Sequence, residues 1–299
     1  MNYQWYPGHM TKAKRMMQEN IGLIDLVIEL VDARIPFSSR NPDIDELGKN
    51  KSRIILLNKS DLADASANRL WMDYFMQKGF HVLEVNARSG QGLKSIHALV
   101  REACKDKIER DRKRGIKNRP IRAIVVGIPN VGKSTFINSF AGKACTKTGN
   151  KPGVTKGKQW IRMNKELELL DTPGILWPKF ESKEVGRNLA LIGSMNDEIL
   201  EMTELAGDLI AYLLMHYREQ LSDRYQMDEP DDMTTPLTVL THICENRKCY
   251  KKGQEADYEK ASSIVMEDFR SGRIGRITLE LPGDTESVRI TDGIEEITE

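Results

Sequence analysis

Ala123-Ile124-Val125-Val126-Gly127-Ile128-Pro129-Asn130-Val131-Gly132-Lys133-Ser134-Thr135 is the stretch that decides how this chain folds. An apolar, β-branched run ends at Gly127, and Gly127-x4-Gly132-Lys133-Ser134 follows. That order predicts a buried strand running into a phosphate-binding loop and then a helix. Glycines let the backbone curl so that its amides point at phosphate oxygens, and the helix adds its positive end. Pro129, Asn130, Val131, Gly132, Lys133, Ser134 and Thr135 are therefore expected to line a nucleoside triphosphate. Lys133 would reach the β and γ phosphates as a catalytic charge, and the Ser134 hydroxyl would ligate Mg²⁺.

On the C-terminal side, residues 142–157 are rich in Gly, Lys and Thr and lack apolar periodicity. Within them, Pro152-Gly153-Val154-Thr155 has the look of a first switch, with Thr155 completing the Mg²⁺ shell; Thr146 and Thr148 compete for that role. Strands are expected at 159–163 and ending at Leu170, the second delivering Asp171-Thr172-Pro173-Gly174. In this D-x-x-G pattern Asp171 would hold Mg²⁺ through water, and the Gly174 amide would sense the γ-phosphate.

On the N-terminal side, an apolar run at 26–31 exits into Asp32-Ala33-Arg34, and Ile35-Pro36 stops regular structure there. A second strand, 53–57, leads into Asn58-Lys59-Ser60-Asp61. The Asp61 carboxylate can accept from both the ring N–H and the exocyclic amine of guanine, a donor pair that adenine lacks. Asn58 would brace the loop, and the Lys59 stem would pack over the ring. A helix at 67–78 and a strand at 81–85 then lead to Asn86-Ala87-Arg88, a loop placed to contact the guanine oxygen. A helix at 93–108 follows, with a strongly charged end.

Composition narrows the class. The chain has 299 residues, 39% of them hydrophobic, and a net charge of +1. No apolar run reaches membrane-spanning length, and no signal-peptide pattern opens the sequence. A cytoplasmic protein without membrane contact, monomeric off its partner, is the expectation. The neutral total hides an asymmetry: residues 101–158 carry sixteen Lys or Arg against four acids, whereas 280–299 hold seven acids against Arg289 alone. The basic stretch is either a solvated linker or a phosphate-backbone contact. Cys104, Cys145, Cys244 and Cys249 are scattered, and His242-x-Cys244-x4-Cys249 lacks the ligands and spacing of a metal site. These are read as ordinary thiols.

Beyond Trp177-Pro178, residues 182–225, 237–244 and 258–270 read as helices, with Met202, Leu205, Leu209 and Leu213 forming one apolar stripe. They are expected to make a separate bundle, followed by a partly disordered acidic tail. This gives two domains: 1–178, an α/β nucleotide domain preceded by a loop and helix, and 179–299, an all-α domain. Every motif falls at the carboxyl end of a predicted strand, where ligands bind in open α/β sheets. Yet the guanine motif precedes the phosphate loop, the reverse of the usual order. A circular permutation of a Ras-like parallel sheet accounts for this, and places the second switch directly before the helical domain.

The order N-K-S-D, G-x-P-N-V-G-K-S, P-G-V-T, D-T-P-G resembles the circularly permuted GTPases of ribosome assembly. The start W-Y-P-G-H-M, the stretch V-D-A-R-I-P and the ending G-R-I-T-L-E resemble the YlqF/RbgA family within them. The resemblance implies a GTPase of late large-subunit (50S) assembly that binds GTP and GDP, with a C-terminal domain that helps bind rRNA. It also makes Asn130 a possible K⁺ ligand, as an alternative to a plain turn residue. Where many GTPases carry a water-positioning Gln, this chain has Ile175. His9 is the candidate to orient water, against the alternative that it merely starts the first helix. Two rival readings are a GTP-dependent RNA-modification factor and a scaffold with incidental hydrolysis.

Overall fold

The computed structural model describes residues 8–116, 119–146, 159–177, 180 and 182–284. Helix α1 (Gly8–Asn20) leads into strand β1 (Leu26–Asp32), helix α2 (Pro42–Leu47), strand β2 (Ser52–Asn58), helix α3 (Ala65–Gln77) and strand β3 (His81–Val85). Helices α4 (Ile96–Ala103) and α5 (Lys105–Lys113), strand β4 (Ile121–Val126), helix α6 (Lys133–Ala141) and strands β5 (Gln159–Arg162) and β6 (Leu167–Asp171) complete the α/β part. The sheet runs β3-β2-β1-β4-β6-β5. All neighbours are parallel except the edge pair β5–β6. The first strand in sequence therefore lies at the centre beside the strand of the phosphate loop. This is the permuted P-loop order expected from the motifs.

The strands read as continuous apolar runs because the sheet is covered on both sides. In β2, Ile55 and Leu57 cluster with Trp71 and Phe75 of α3. Ile54 and Leu56 belong instead to the cluster that holds Ile96 and Val100 of α4. The helix expected over 93–108 is broken: a 3₁₀ turn at Leu93–Ser95, then α4, then a turn at Cys104 before α5. Full burial ends at Cys104, and α5 brings only the half-buried Ile108 against the core, so little packing keeps the two segments on one axis. Helix α2 has no counterpart in the sequence reading. Asn41 caps it by accepting from the Asp43 amide, and Pro42 opens its first turn.

Helices α7 (Lys183–Leu191), α8 (Met202–His216), α9 (Arg218–Tyr225), α10 (Pro236–Arg247) and α11 (Tyr258–Ser271) follow. Leu205, Leu209 and Leu213 are fully buried, with Ala261, Val265 and Phe269 in the same cluster. The bundle is not separate, however. Its core is continuous with that of the sheet. After α11 the chain crosses back over the nucleotide domain as an extended strap. There the Ile277 amide donates to the Leu62 carbonyl (3.0 Å) and the Leu279 amide to that of Arg34 (2.8 Å). The Asp64 amide donates to Thr278 Oγ1 (3.0 Å), and Trp71 Nε1 to the Glu280 carbonyl (2.9 Å). The G-R-I-T-L-E ending is thus an interdomain strap. The acidic tail beyond residue 284 lies outside the described residues.

Candidate nucleotide site

The phosphate loop leaves β4 and enters α6 at Gly132, whose φ of +103° places it in the left-handed region. A Cβ there would stand 2.5 Å from Asn58 Nδ2. The close approach has a purpose. Asn58 Nδ2 donates to the Val131 carbonyl (2.7 Å), and Asn58 Oδ1 accepts from the Ala87 amide (3.0 Å). One side chain at the end of β2 thereby ties the phosphate loop to the 86–88 loop. Lys59, itself at φ +59°, sends Nζ to the Asn130 carbonyl (2.9 Å), and Asn130 is also left-handed at φ +57°. Two non-glycine residues in a costly conformation meet across the site, as expected where function over-determines the backbone.

Asp61 is exposed at the mouth of this loop, while Ser60 is fixed by its hydroxyl to the Val85 carbonyl (3.1 Å). Asn86 follows directly on β3. Its Oδ1 accepts from the Arg88 amide (2.9 Å) and the Ser89 amide (3.0 Å), so it builds the turn. The Ala87 amide, one of the backbone donors in this loop, is already engaged by Asn58. A base oxygen arriving there has to share that donor.

Lys133 is buried, and Nζ donates to the carbonyls of Gly127 (3.0 Å) and Ile128 (2.9 Å). Burial lowers its pKa, and Asp171 works against that effect. Asp171, at the end of β6, is buried too; burial raises its carboxyl and Lys133 opposes the rise. Both Asp171 carboxylate oxygens lack a hydrogen-bond partner among the described residues. A buried carboxylate this poorly partnered is costly unless a cation pairs with it, and hard oxygens suit Mg²⁺. The donor set fits that ion. Gly174 presses on the same loop: a Cβ at this position would lie 2.7 Å from Pro129 Cα and 2.9 Å from Lys133 Nζ. Ile175 is buried, with its amide donating to the Gly127 carbonyl (3.3 Å), and offers nothing to a water molecule.

Thr155, Thr148 and the rest of the first-switch stretch at 147–158 lie outside the described residues. Thr146 donates through its hydroxyl to the Ser134 carbonyl (3.3 Å). His9 is in α1, but its side chain lies outside what the structure describes. Asn130 Nδ2 donates to the Gly193 carbonyl (2.7 Å). Arg110, Arg112, Lys113 and Arg114 are exposed on and just after α5. Cys244 and Cys249 are buried thiols, and no group of metal-ligating residues forms among the described residues.

Asp32 and Arg34 belong to the site, although the sequence suggested only polar groups at a strand exit. Asp32 pairs with Lys59 (2.9 Å) and, through both oxygens, with Arg34 (2.8 Å each). Burial alone would raise the Asp32 carboxyl, but Arg34 and Lys59 outweigh it and hold it well below the usual carboxylate range. Asp32 therefore aims the guanine-loop lysine. The available signal was an apolar strand ending abruptly in Asp-x-Arg.

The chain is similar in sequence and in fold to known GTPases. The pattern of the 50S ribosome-binding GTPase family matches residues 122–241. The chain is 46% identical to ribosome biogenesis GTPase A of Bacillus cereus, over 99% of this chain and all of that one. It is 32% identical to mitochondrial ribosome-associated GTPase 1 of Mus musculus, over 93% of this chain and 90% of the other. Among solved structures, GNP-bound YlqF from T. maritima superposes with a TM-score of 0.64 at 27% identity, covering 91% of this chain and 98% of that one.

Proposed function

The chain belongs to the ribosome biogenesis GTPase A family and is a GTPase, and on that premise we propose that it acts in late assembly of the large ribosomal subunit. It binds the precursor particle and its rRNA in the GTP state, in the cytoplasm, and leaves after hydrolysis. The observation that carries the nucleotide half is Asn58, whose one side chain joins the phosphate loop to the base loop. The ribosomal half rests on the relatives, which are ribosome biogenesis GTPases by name.

In this reading Asp61 selects guanine, and the Lys59 stem, aimed by Asp32, covers the ring. Ser60, Asn86, Ala87 and Arg88 shape the base pocket. Lys133 exchanges its two carbonyl partners for phosphate oxygens, so charge developing on the transferred phosphoryl group is met without reorganising solvent. Ser134, Thr155 and Asp171 are the residues that would hold Mg²⁺, with Asp171 acting through water. When bound, such an ion would neutralise charge on the phosphates. The Gly174 amide, packed on Pro129, reports the presence of the γ-phosphate. His9 orients the attacking water, since Ile175 does not.

Co-sedimentation with purified large subunits or their precursors tests the proposal. The protein should pellet with a non-hydrolysable GTP analogue and stay free with GDP. Lys113→Glu with Arg114→Glu should weaken binding and flatten its salt dependence together. Equal binding with either nucleotide refutes the cycle, and an unchanged salt slope returns α5 to the role of a solvated helix.

A further inference from the structure

The phosphate loop is held from outside the α/β domain by a turn for which neither the motifs nor the family pattern supplies a role. Pro129 has no N–H, and its carbonyl accepts from the hydroxyl of Ser194, a residue with no solvent exposure (2.9 Å). The next residue, Asn130, donates through its side chain to the Gly193 carbonyl (2.7 Å). Gly193 and Ser194 follow α7, and the Ser194 amide returns to the Leu189 carbonyl (3.0 Å). The turn is itself held by α11. Arg270 donates to the carbonyls of Leu191 (2.9 Å) and Ala190 (2.8 Å), and it pairs with Asp197 (2.7 Å). Gly193 has a φ of +77°, and a Cβ there would approach the Arg270 guanidinium to 3.3 Å.

Pro129 and Asn130 thus sit at a crossing. Lys59 pins the Asn130 carbonyl from the guanine loop, Gly174 presses on Pro129 from the second switch, and the 193–194 turn pins both residues from the helical domain. We propose that Gly193 and Ser194 are positioning residues for the phosphate loop, through which α7 and α11 set how long a guanine nucleotide stays bound. A displacement of α11 changes the loop's fit to phosphate, and by linkage the phosphates bias the seat of α11. The inference rests on the nucleotide reading of the loop and not on the ribosomal one.

Stopped-flow release of fluorescent GDP and of a fluorescent GTP analogue tests it on the full chain, with melting temperature followed in parallel. Wild-type binding, measured first, tests the reading of the site itself; a chain that binds neither nucleotide ends both. Ser194→Ala should speed GDP release about three- to tenfold, the scale of one hydrogen bond. Arg270→Met should act in the same direction, and the double variant should release GDP no faster than the faster single one, because both act along one path. Should Ser194→Ala fail to fold, Asp197→Ala loosens Arg270 at the surface and should still raise the release rate. Unchanged release rates, or effects that multiply in the double variant, overturn the proposal whatever happens to the melting temperature.

Discussion

Glu280 gives the fold a calculable pH dependence. Its side chain is almost wholly buried, at 6% exposure. It accepts from the amides of Phe37 and Ser38, the Ser38 hydroxyl (2.6 Å) and Asn188 Nδ2 (3.2 Å). One carboxyl thereby fastens the C-terminal strap to the loop after β1 and to α7. Burial pushes its pKa from the ordinary 4.5 up to about 7, although the four donors work against that rise. The folded protein therefore keeps a proton that the unfolded chain has already released. The stabilisation is complete below the unfolded pKa and is lost as pH rises through the folded value. Between pH 5 and 8 this one group should remove roughly 2–3 kcal/mol, since each tenfold difference in proton affinity between the folded and unfolded chain is worth about 1.4 kcal/mol. Glu280→Gln abolishes the titration. Asn188 Oδ1 is buried without a partner among the described residues, so a turned Asn188 amide can accept from the new Gln side chain. Urea unfolding of both proteins at fixed GDP should show wild type losing about that much relative to the variant from pH 5 to 8. A difference that stays flat over this range would refute the argument, because it would mean that Glu280 is ionised throughout.

Two predictions concern the nucleotide site. Asp61→Asn puts a donor opposite the guanine donors, so GTP affinity should fall at least a hundredfold while ATP affinity does not; calorimetric titration of both nucleotides decides it. His9→Ala should lower subunit-stimulated kcat by roughly a hundredfold, the lower end of general acid–base effects, while nucleotide Kd stays within twofold. Parallel loss of subunit binding and turnover would instead make His9 a docking residue.

The order of motifs along the chain already contained the sheet. Four loops that bind one nucleotide must converge, and only a permuted parallel sheet brings the ends of β2, β3, β4 and β6 together from that order. The residue types at Asn58, Asp61, Lys133 and Asp171 were legible for the same reason: their chemistry depends on a short local spacing after a strand. What sequence could not give was anything set by long-range packing. The strap at 274–281 alternates Ile277, Leu279 and Leu281 with Thr278 and Glu280, a pattern too short to say what it packs on, and it becomes part of the core only because Leu62, Arg34 and Trp71 present a carbonyl, a carbonyl and an indole N–H beside it. Asp32 lies in a family stretch that by itself gives it no role, and Ser194 lies in none; tertiary structure alone places them 2.9 Å from Lys59 and from the Pro129 carbonyl. Local spacing points to the groups this chain can offer a nucleotide. Burial of one continuous core decided what holds those groups still, because a contact between residues 65 apart exists only once everything between them has folded.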